Sequence, residues 1–331
     1  MAAFIVRRLV SAFLVVVLTS LAVFALFFLG PSNPARPVCE AQGRCTPEAL
    51  AAIEQQMGLD QSVVTAYGAY VRGLFVGRTV TMGSEYTCEA PCLGISYGTR
   101  EEVSKELAEK FPATLSVALG GATIYIGLGV TLGVLAARWR GSSADRLLVG
   151  GSLVVSSVPY YLFALLAWIF LTLQWDLFPA TGYTPLTEDP AAWAAGLLLP
   201  WLVLGVAGST QYARFTRGSM VDVLGEDFIR TATAKGLPRG RVVFGHGLRA
   251  ALVPVVTIFG LDLAALLAGT VFTEQIFEID GIGAWALESL QAPQDFPVIL
   301  ATVLVSAVLV VLANLVVDVV YAFLDPRVRL S

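Results

Sequence analysis

A single histidine, His246, occurs in the whole 331-residue chain. That scarcity excludes histidine metal clusters and leaves Ser-His-Asp chemistry one base at most. The sequence also lacks G-x-x-x-x-G-K-[ST], so it has no phosphate cradle of its own, and any ATP that drives it must sit on another subunit. H-E-x-x-H and the G-x-S-x-G elbow are missing too, as are paired aspartates at protease-like positions within apolar runs. A non-catalytic protein is therefore expected. Charge is sparse as well: Asp, Glu, Lys and Arg make up 14% of the chain and the net charge is −4, so no nucleic-acid partner is expected.

What fills the space is apolar. Hydrophobic residues reach 56%, more than a soluble domain needs, and the chain reads as an integral membrane protein. A helix needs about 20 apolar residues to cross roughly 30 Å of hydrocarbon. Six runs meet that length, at approximately 9–30, 113–137, 147–174, 191–213, 250–273 and 298–324. The first follows Arg7 and Arg8, but it is longer than a signal h-region and ends at Gly30-Pro31 without a small-residue cleavage pattern. It is read as a retained span.

Orientation follows from the positive residues, which stay cytoplasmic in short loops. With the N-terminus inside, 14 of the 21 Lys and Arg fall on the cytoplasmic side, while the outer loops 175–190 and 274–297 hold none. Both termini are expected in the cytoplasm of a multi-pass protein. Cys39, Cys45, Cys88 and Cys92 then all fall in the long outer loop, where disulfides persist. Three pairings are possible. C-x5-C and C-x3-C without histidine match no zinc pattern, so no metal is expected.

The outer loop carries helical spacing in EALAAIEQQMGLD, SVVTAYGAYVRGLFV and TREEVSKELAEKF, which predicts a small helical cap. Thr99 and Glu102 form a capping-box pattern for the last of these helices. Gly120, Gly121, Gly127, Gly129 and Gly133 mark the second span as a close helix-packing surface. Pro159 and Pro200 are expected to interrupt the third and fourth spans. Asp262 near the middle of the fifth span, and Asn314 and Asp318 one turn apart in the sixth, are candidates for a translocation path.

The most distinctive stretch is GEDFIRTATAKGLPRGRVVFGHGLRAALVP, on the expected inner side. Asp222 to Lys235 has helical character, Gly236 permits a turn and Pro238 can open the next helix. Such a short helix can insert into a partner's groove or lie on anionic lipid.

This segment resembles the EAA loop of type I ABC importer permeases, in the dipeptide, oligopeptide and nickel branch. Arg230-Thr-Ala-Thr-Ala-Lys-Gly-Leu237 and His246-Gly-Leu-Arg-Ala-Ala-Leu-Val-Pro254 carry the resemblance. Other similar stretches are Gly58-Leu-Asp-Gln61, Phe111-Pro-Ala-Thr-Leu115, Ala213-Arg-Phe-Thr-Arg-Gly-Ser-Met220, Asn314-Leu-Val-Val-Asp318 and Leu324-Asp-Pro-Arg-Val-Arg329. The sequence departs from the branch at Asp262, at Asp280 and in an inserted segment from about Thr79 to Cys92.

The resemblance implies a protein of the bacterial inner membrane with an all-α fold of six transmembrane helices: a first span at 1–30, an extracytoplasmic cap at 31–111 and a permease core at 112–325, with the coupling loop at about 214–249. It implies that Glu226, Asp227, Arg230, Thr231, Ala232, Ala234, Lys235 and Gly236 engage an ATPase. The implied partners are a second permease, two ATPase subunits that bind ATP and Mg, and an extracytoplasmic binding protein. Short peptides are the expected cargo, with nickel or another peptide-sized ligand as the alternative. A proton-coupled secondary transporter relaying through Asp262 and Asp318 is a further alternative that the lack of a visible internal repeat disfavours.

Overall fold

The computed structural model describes residues 2–29, 33, 35–41, 43–57, 59–81, 85–268, 270–291 and 293–324. In chain order it contains α1 (Ala2–Leu29), α2 (Ala35–Ala41), α3 (Pro47–Gln56), α4 (Val63–Val76), β1 (Arg78–Thr81), β2 (Glu85–Cys88) and α5 (Val103–Arg138). Next come α6 (Ser143–Ser157), α7 (Tyr160–Ala167), α8 (Pro190–Leu224) and α9 (Asp227–Ala234). The chain closes with α10 (Leu248–Ala268), α11 (Val271–Ile276), α12 (Ile282–Ser289) and α13 (Phe296–Leu324). Two stretches have the wider π geometry: Trp168–Gln174 continues α7, and Arg241–Gly247 leads into α10.

Among the described residues, five helices are long and apolar enough to span a bilayer. α6 and the helix from Tyr160 to Gln174 meet at 94°, and the pair makes a sixth crossing if it is counted as one span. Pro159 accounts for the break: it lacks an N–H and disfavours helix at Val158, whose ψ is 128°. Pro200 behaves differently. It lies inside the continuous helix α8, where losing one backbone hydrogen bond is tolerated, so the fourth span is not interrupted.

The chain divides into two compact units. The first comprises Met1–Thr114 with Asp280–Val311. Among its described residues, Thr46 and Ser62 cap α3 and α4 by accepting hydrogen bonds from the backbone N–H of Ala49 and Thr65. Its disulfides are Cys39–Cys45 and Cys88–Cys92, which settles the pairing left open by the sequence. An antiparallel hairpin, with Arg78 opposite Cys88 and Thr81 opposite Glu85, was not foreseen. Its Thr, Val and Tyr residues favour strand, but four-residue strands give little periodic signal.

The capping box at Thr99 is also corrected. The helix begins at Val103, because Ser96 donates to Asp295 Oδ2 at 2.5 Å and accepts from the Thr99 N–H, holding 96–99 as a turn. Gly98 N–H donates to the same carboxylate oxygen. Leu93, Val103, Trp285, Val298 and Ala301 form the adjacent core. Lys110 pairs with Asp280 and sits over the Trp285 ring, which gives the departure at Asp280 a structural role.

The second unit comprises Leu115–Ile279 with Leu312–Ser331. Here the glycines of α5 act as expected. A Cβ at Gly120 would lie 2.2 Å from Trp201, one at Gly129 2.4 Å from Tyr212, and one at Gly133 2.6 Å from Thr216. In return, a Cβ at Gly205 of α8 would lie 2.3 Å from Ile124. Two helices meet backbone to backbone along this seam. Gly127 is the exception, with open space around it.

Candidate functional site

The basic segment resolves into three parts. α8 continues through Asp222 to Leu224, Gly225 and Glu226 break it, and α9 then runs for eight residues. The single helix expected from Asp222 to Lys235 is therefore two. Gly225 closes α8, its N–H donating to the carbonyls of Asp222 and Val223. At the other end of α9, Gly236 has φ +77° and nothing within 4 Å of a hypothetical Cβ, so glycine is needed there for backbone conformation and not for space. Residue 239 resumes the helix directly after Pro238.

α9 presents two dissimilar faces. Ile229 is buried at 5% exposure and Ala232, three residues on, is half-buried. Glu226, Asp227, Arg230, Thr231, Ala234, Lys235 and Gly236 are exposed. Arg230 and Asp227 form an ion pair at 3.3 Å with both side chains in solvent. Thr231 and Thr233 turn their hydroxyls back onto the carbonyls of Asp227 and Ile229. Phe228 is 48% exposed, and the sequence reading did not single it out. The signal was there: Phe228 and Ile229 are adjacent and cannot share a helix face, so burying one exposes the other. Beside α9, Ile229, Leu224, Leu237, Val242 and Val243 help to line a cavity of about 330 Å³.

The residues before α9 are anchored much more firmly. Arg217 donates from Nε to Asp145 Oδ1 at 2.6 Å and from Nη2 to Oδ2 at 2.7 Å, and the Gly141 N–H also donates to Oδ2. The Asp145 side chain is 4% exposed. One turn earlier, Arg214 donates to Ser156 Oγ and to the Ser152 carbonyl. Ser219 donates to the Ala251 carbonyl at 2.9 Å, and Met220 is fully buried. The stretch from Arg214 to Met220 thus fastens α8 to both α6 and α10.

Of the candidate path residues, Asp262 and Asn314 have described side chains. Asp262 is half-buried and accepts a hydrogen bond at 2.7 Å from Tyr212, whose ring packs against those of Tyr125 and Phe259. Asn314 has a buried Oδ1 without a hydrogen-bond partner among the described residues. The Asp318 side chain lies outside those described. A cavity of about 320 Å³ opens at the α6–α7 break, lined by residues that include Pro159, Tyr160, Thr210, Gln211 and Arg214. These polar residues were not foreseen as neighbours, since over 50 positions separate Pro159 from Gln211. Among the described residues, no group of His, Cys, Asp or Glu could hold a metal ion.

The match to known families decides the identity. Residues 129–330 fit the binding-protein-dependent transport system inner membrane component, and residues 1–118 fit the N-terminal component of the same system. The chain belongs to this family of ABC transporter permeases. It is 35% identical to the dipeptide transport system permease protein DppB of Escherichia coli (strain K12), covering 98% of each chain. It is 37% identical to the di/tripeptide transport system permease protein DppB of Pseudomonas aeruginosa (strain UCBPP-PA14), covering 99% of each. A putative peptide transport system permease protein of Brucella abortus (strain 2308) is 34% identical over 99% of both chains. The fold is that of a solved structure of the MetNI methionine ABC transporter in an inward-facing conformation, with a TM-score of 0.55 and 16% identity over 67% of this chain and 97% of that one. As a permease of the dipeptide, oligopeptide and nickel branch, the chain is a membrane transport component and not an enzyme.

Proposed function

We propose that this permease is the membrane subunit of an ATP-driven importer of short peptides, in the bacterial inner membrane with both termini cytoplasmic. Residues 1–30 form the first span, 31–111 an extracytoplasmic cap, and 112–325 the core with its coupling loop. The full-length likeness to dipeptide permeases supports peptide cargo.

The observation that carries the coupling role is the construction of α9, which is seated by Ile229 and offers Phe228 and Arg230 outward. A groove on an ATPase subunit accepts Phe228 as its apolar anchor, with Asp227, Arg230 and Lys235 around the rim. Closure of two ATPases on ATP then moves α9, and α8 follows because Arg217 and Ser219 fasten it to its neighbours. A second permease completes the path, a binding protein delivers cargo from outside, and ATP with Mg stays on the partner subunits.

The test is reconstitution of the co-expressed subunits in liposomes. Loaded binding protein stimulates ATP hydrolysis and peptide uptake in the wild type. With Arg230→Glu and Lys235→Glu together, stimulation and uptake are lost while the complex still inserts. Uptake by the permease alone, without ATP or partners, would overturn the reading.

A further inference from the structure

The first unit holds a cavity of about 380 Å³ that the transport reading does not use. Its walls are built from the ends of two membrane spans: Phe24, Phe27 and Phe28 close α1, and Phe296, Pro297 and Leu300 open α13. The hairpin adds one cation, Arg78, and α4 adds Tyr70. Among the described residues that line it, none is an aspartate or glutamate.

Arg78 is held in place on every side. Its backbone pairs with Cys88 across the hairpin, and Cys88 is tied to Cys92. The guanidinium carbon stands 5.4 Å from the centre of the Tyr70 ring. Gly73 leaves room for the stem, since a Cβ there would lie 3.0 Å from Arg78 Cδ. Yet its hydrogen bonding is incomplete: Arg78 Nε and the Tyr70 hydroxyl are both buried without a hydrogen-bond partner, and no carboxylate among the described residues pairs with Arg78. Asp295, the nearby acid, accepts from Ser96 and Gly98 instead. Burial pushes the Arg78 pKa down and the Tyr70 pKa up to about 12, in each case because the charged form is poorly solvated. Buried donors without acceptors are rare in folded proteins, and each calls for a partner.

We propose that this cavity binds one anionic phospholipid, its phosphate accepting from Arg78 and Tyr70 and its acyl chains lying against the phenylalanines of α1 and α13. An arginine beside a tyrosine hydroxyl suits a phosphate oxygen cluster, which accepts several charge-assisted hydrogen bonds at once. The aromatic walls at the ends of two spans put the site at the level where lipid headgroups meet hydrocarbon. A peptide suits the cavity less well, because its ammonium group would find no carboxylate on the walls. The proposal is independent of the cargo and of the coupling role.

The complex formed around the full chain is placed in bilayers of mixed phosphatidylcholine and phosphatidylglycerol, and the lipids it retains are identified by native mass spectrometry. The wild type is expected to enrich phosphatidylglycerol about tenfold over its bulk fraction, the scale of one lost charged contact. Arg78→Gln removes the enrichment, Arg78→Lys keeps part of it, and Tyr70→Phe lowers it about threefold. Intact Cys88–Cys92 in each variant shows that the hairpin has formed. A wild type that shows no headgroup preference overturns the proposal without any variant, and so does Arg78→Gln with its preference unchanged. If glycerol 3-phosphate or a dipeptide strips the bound lipid as readily as added phosphatidylglycerol does, the site reads a soluble anion and the lipid assignment fails.

Discussion

α8 and α9 are neighbours in sequence, parted by Gly225 and Glu226, and they are built on opposite terms. α8 is 35 residues long and buries Leu197, Val203, Tyr212, Thr216 and Met220, while two arginines and a serine bind it to adjacent helices. α9 is eight residues long and buries Ile229. An isolated helix of eight residues is not stable in water, so α9 depends on its seat and on the turn at Gly236. The contrast separates two tasks. On the proposed coupling reading, α8 keeps its shape while force passes along it and α9 gives its surface to the ATPase.

Breaking the α8 side should cost the most. Arg217→Met leaves the Asp145 carboxylate, 4% exposed, without its bidentate partner, and removing one member of a buried pair costs about 3–5 kcal/mol. The partial exposure of Arg217 puts the loss toward the lower end, to be read as a drop in thermal midpoint in detergent. Gly129→Ala comes next. Its Cβ would stand 2.4 Å from Tyr212 and 3.1 Å from the Ser209 carbonyl, and overpacking of that kind costs about 1–3 kcal/mol in the same assay.

The α9 side should respond in another currency. Gly236→Val forces a β-branched residue to φ +77°, a local strain of about 1–3 kcal/mol that α9 bears alone. The thermal midpoint of the complex should hold while stimulated ATP hydrolysis falls; a midpoint that drops as far as in Arg217→Met would erase the contrast. Smallest of all is Asp227→Asn. An exposed pair of this kind contributes about 0–1 kcal/mol, so unfolding should not change measurably, and added salt should not alter that result.

The parts of this protein that the sequence made legible are those with local causes. Hydropathy marked the spans because about 20 apolar residues have few other uses, and the glycines of α5 marked the seam because small residues let backbones touch. Gly236 was readable because a helix end in the left-handed conformation favours glycine. The break at Gly225 was missed because Val223, Leu224, Phe228, Ile229 and Ala232 keep helical spacing across it, and a glycine within a helix costs only about 1 kcal/mol. Asp145 and Arg217 stand 72 positions apart, and no local pattern announces such a pair. Arg78 was passed over for the same reason, since its neighbours in space come from α1, α4 and α13.

The 94° turn at Pro159 has a further consequence. α6, with 15 residues, is about 22 Å long, short of the roughly 30 Å of a hydrocarbon layer. Pro159 has no N–H to give the Val155 carbonyl, which accepts from the Val158 N–H at 3.3 Å, beside the cavity that Val155, Gln211 and Arg214 help to line. A wall made partly of main chain keeps the same acceptors whatever side chains evolution places on it. Substitutions at Val155 or Val158 can alter the girth of that recess, but its main-chain acceptors change only when the bend itself is lost.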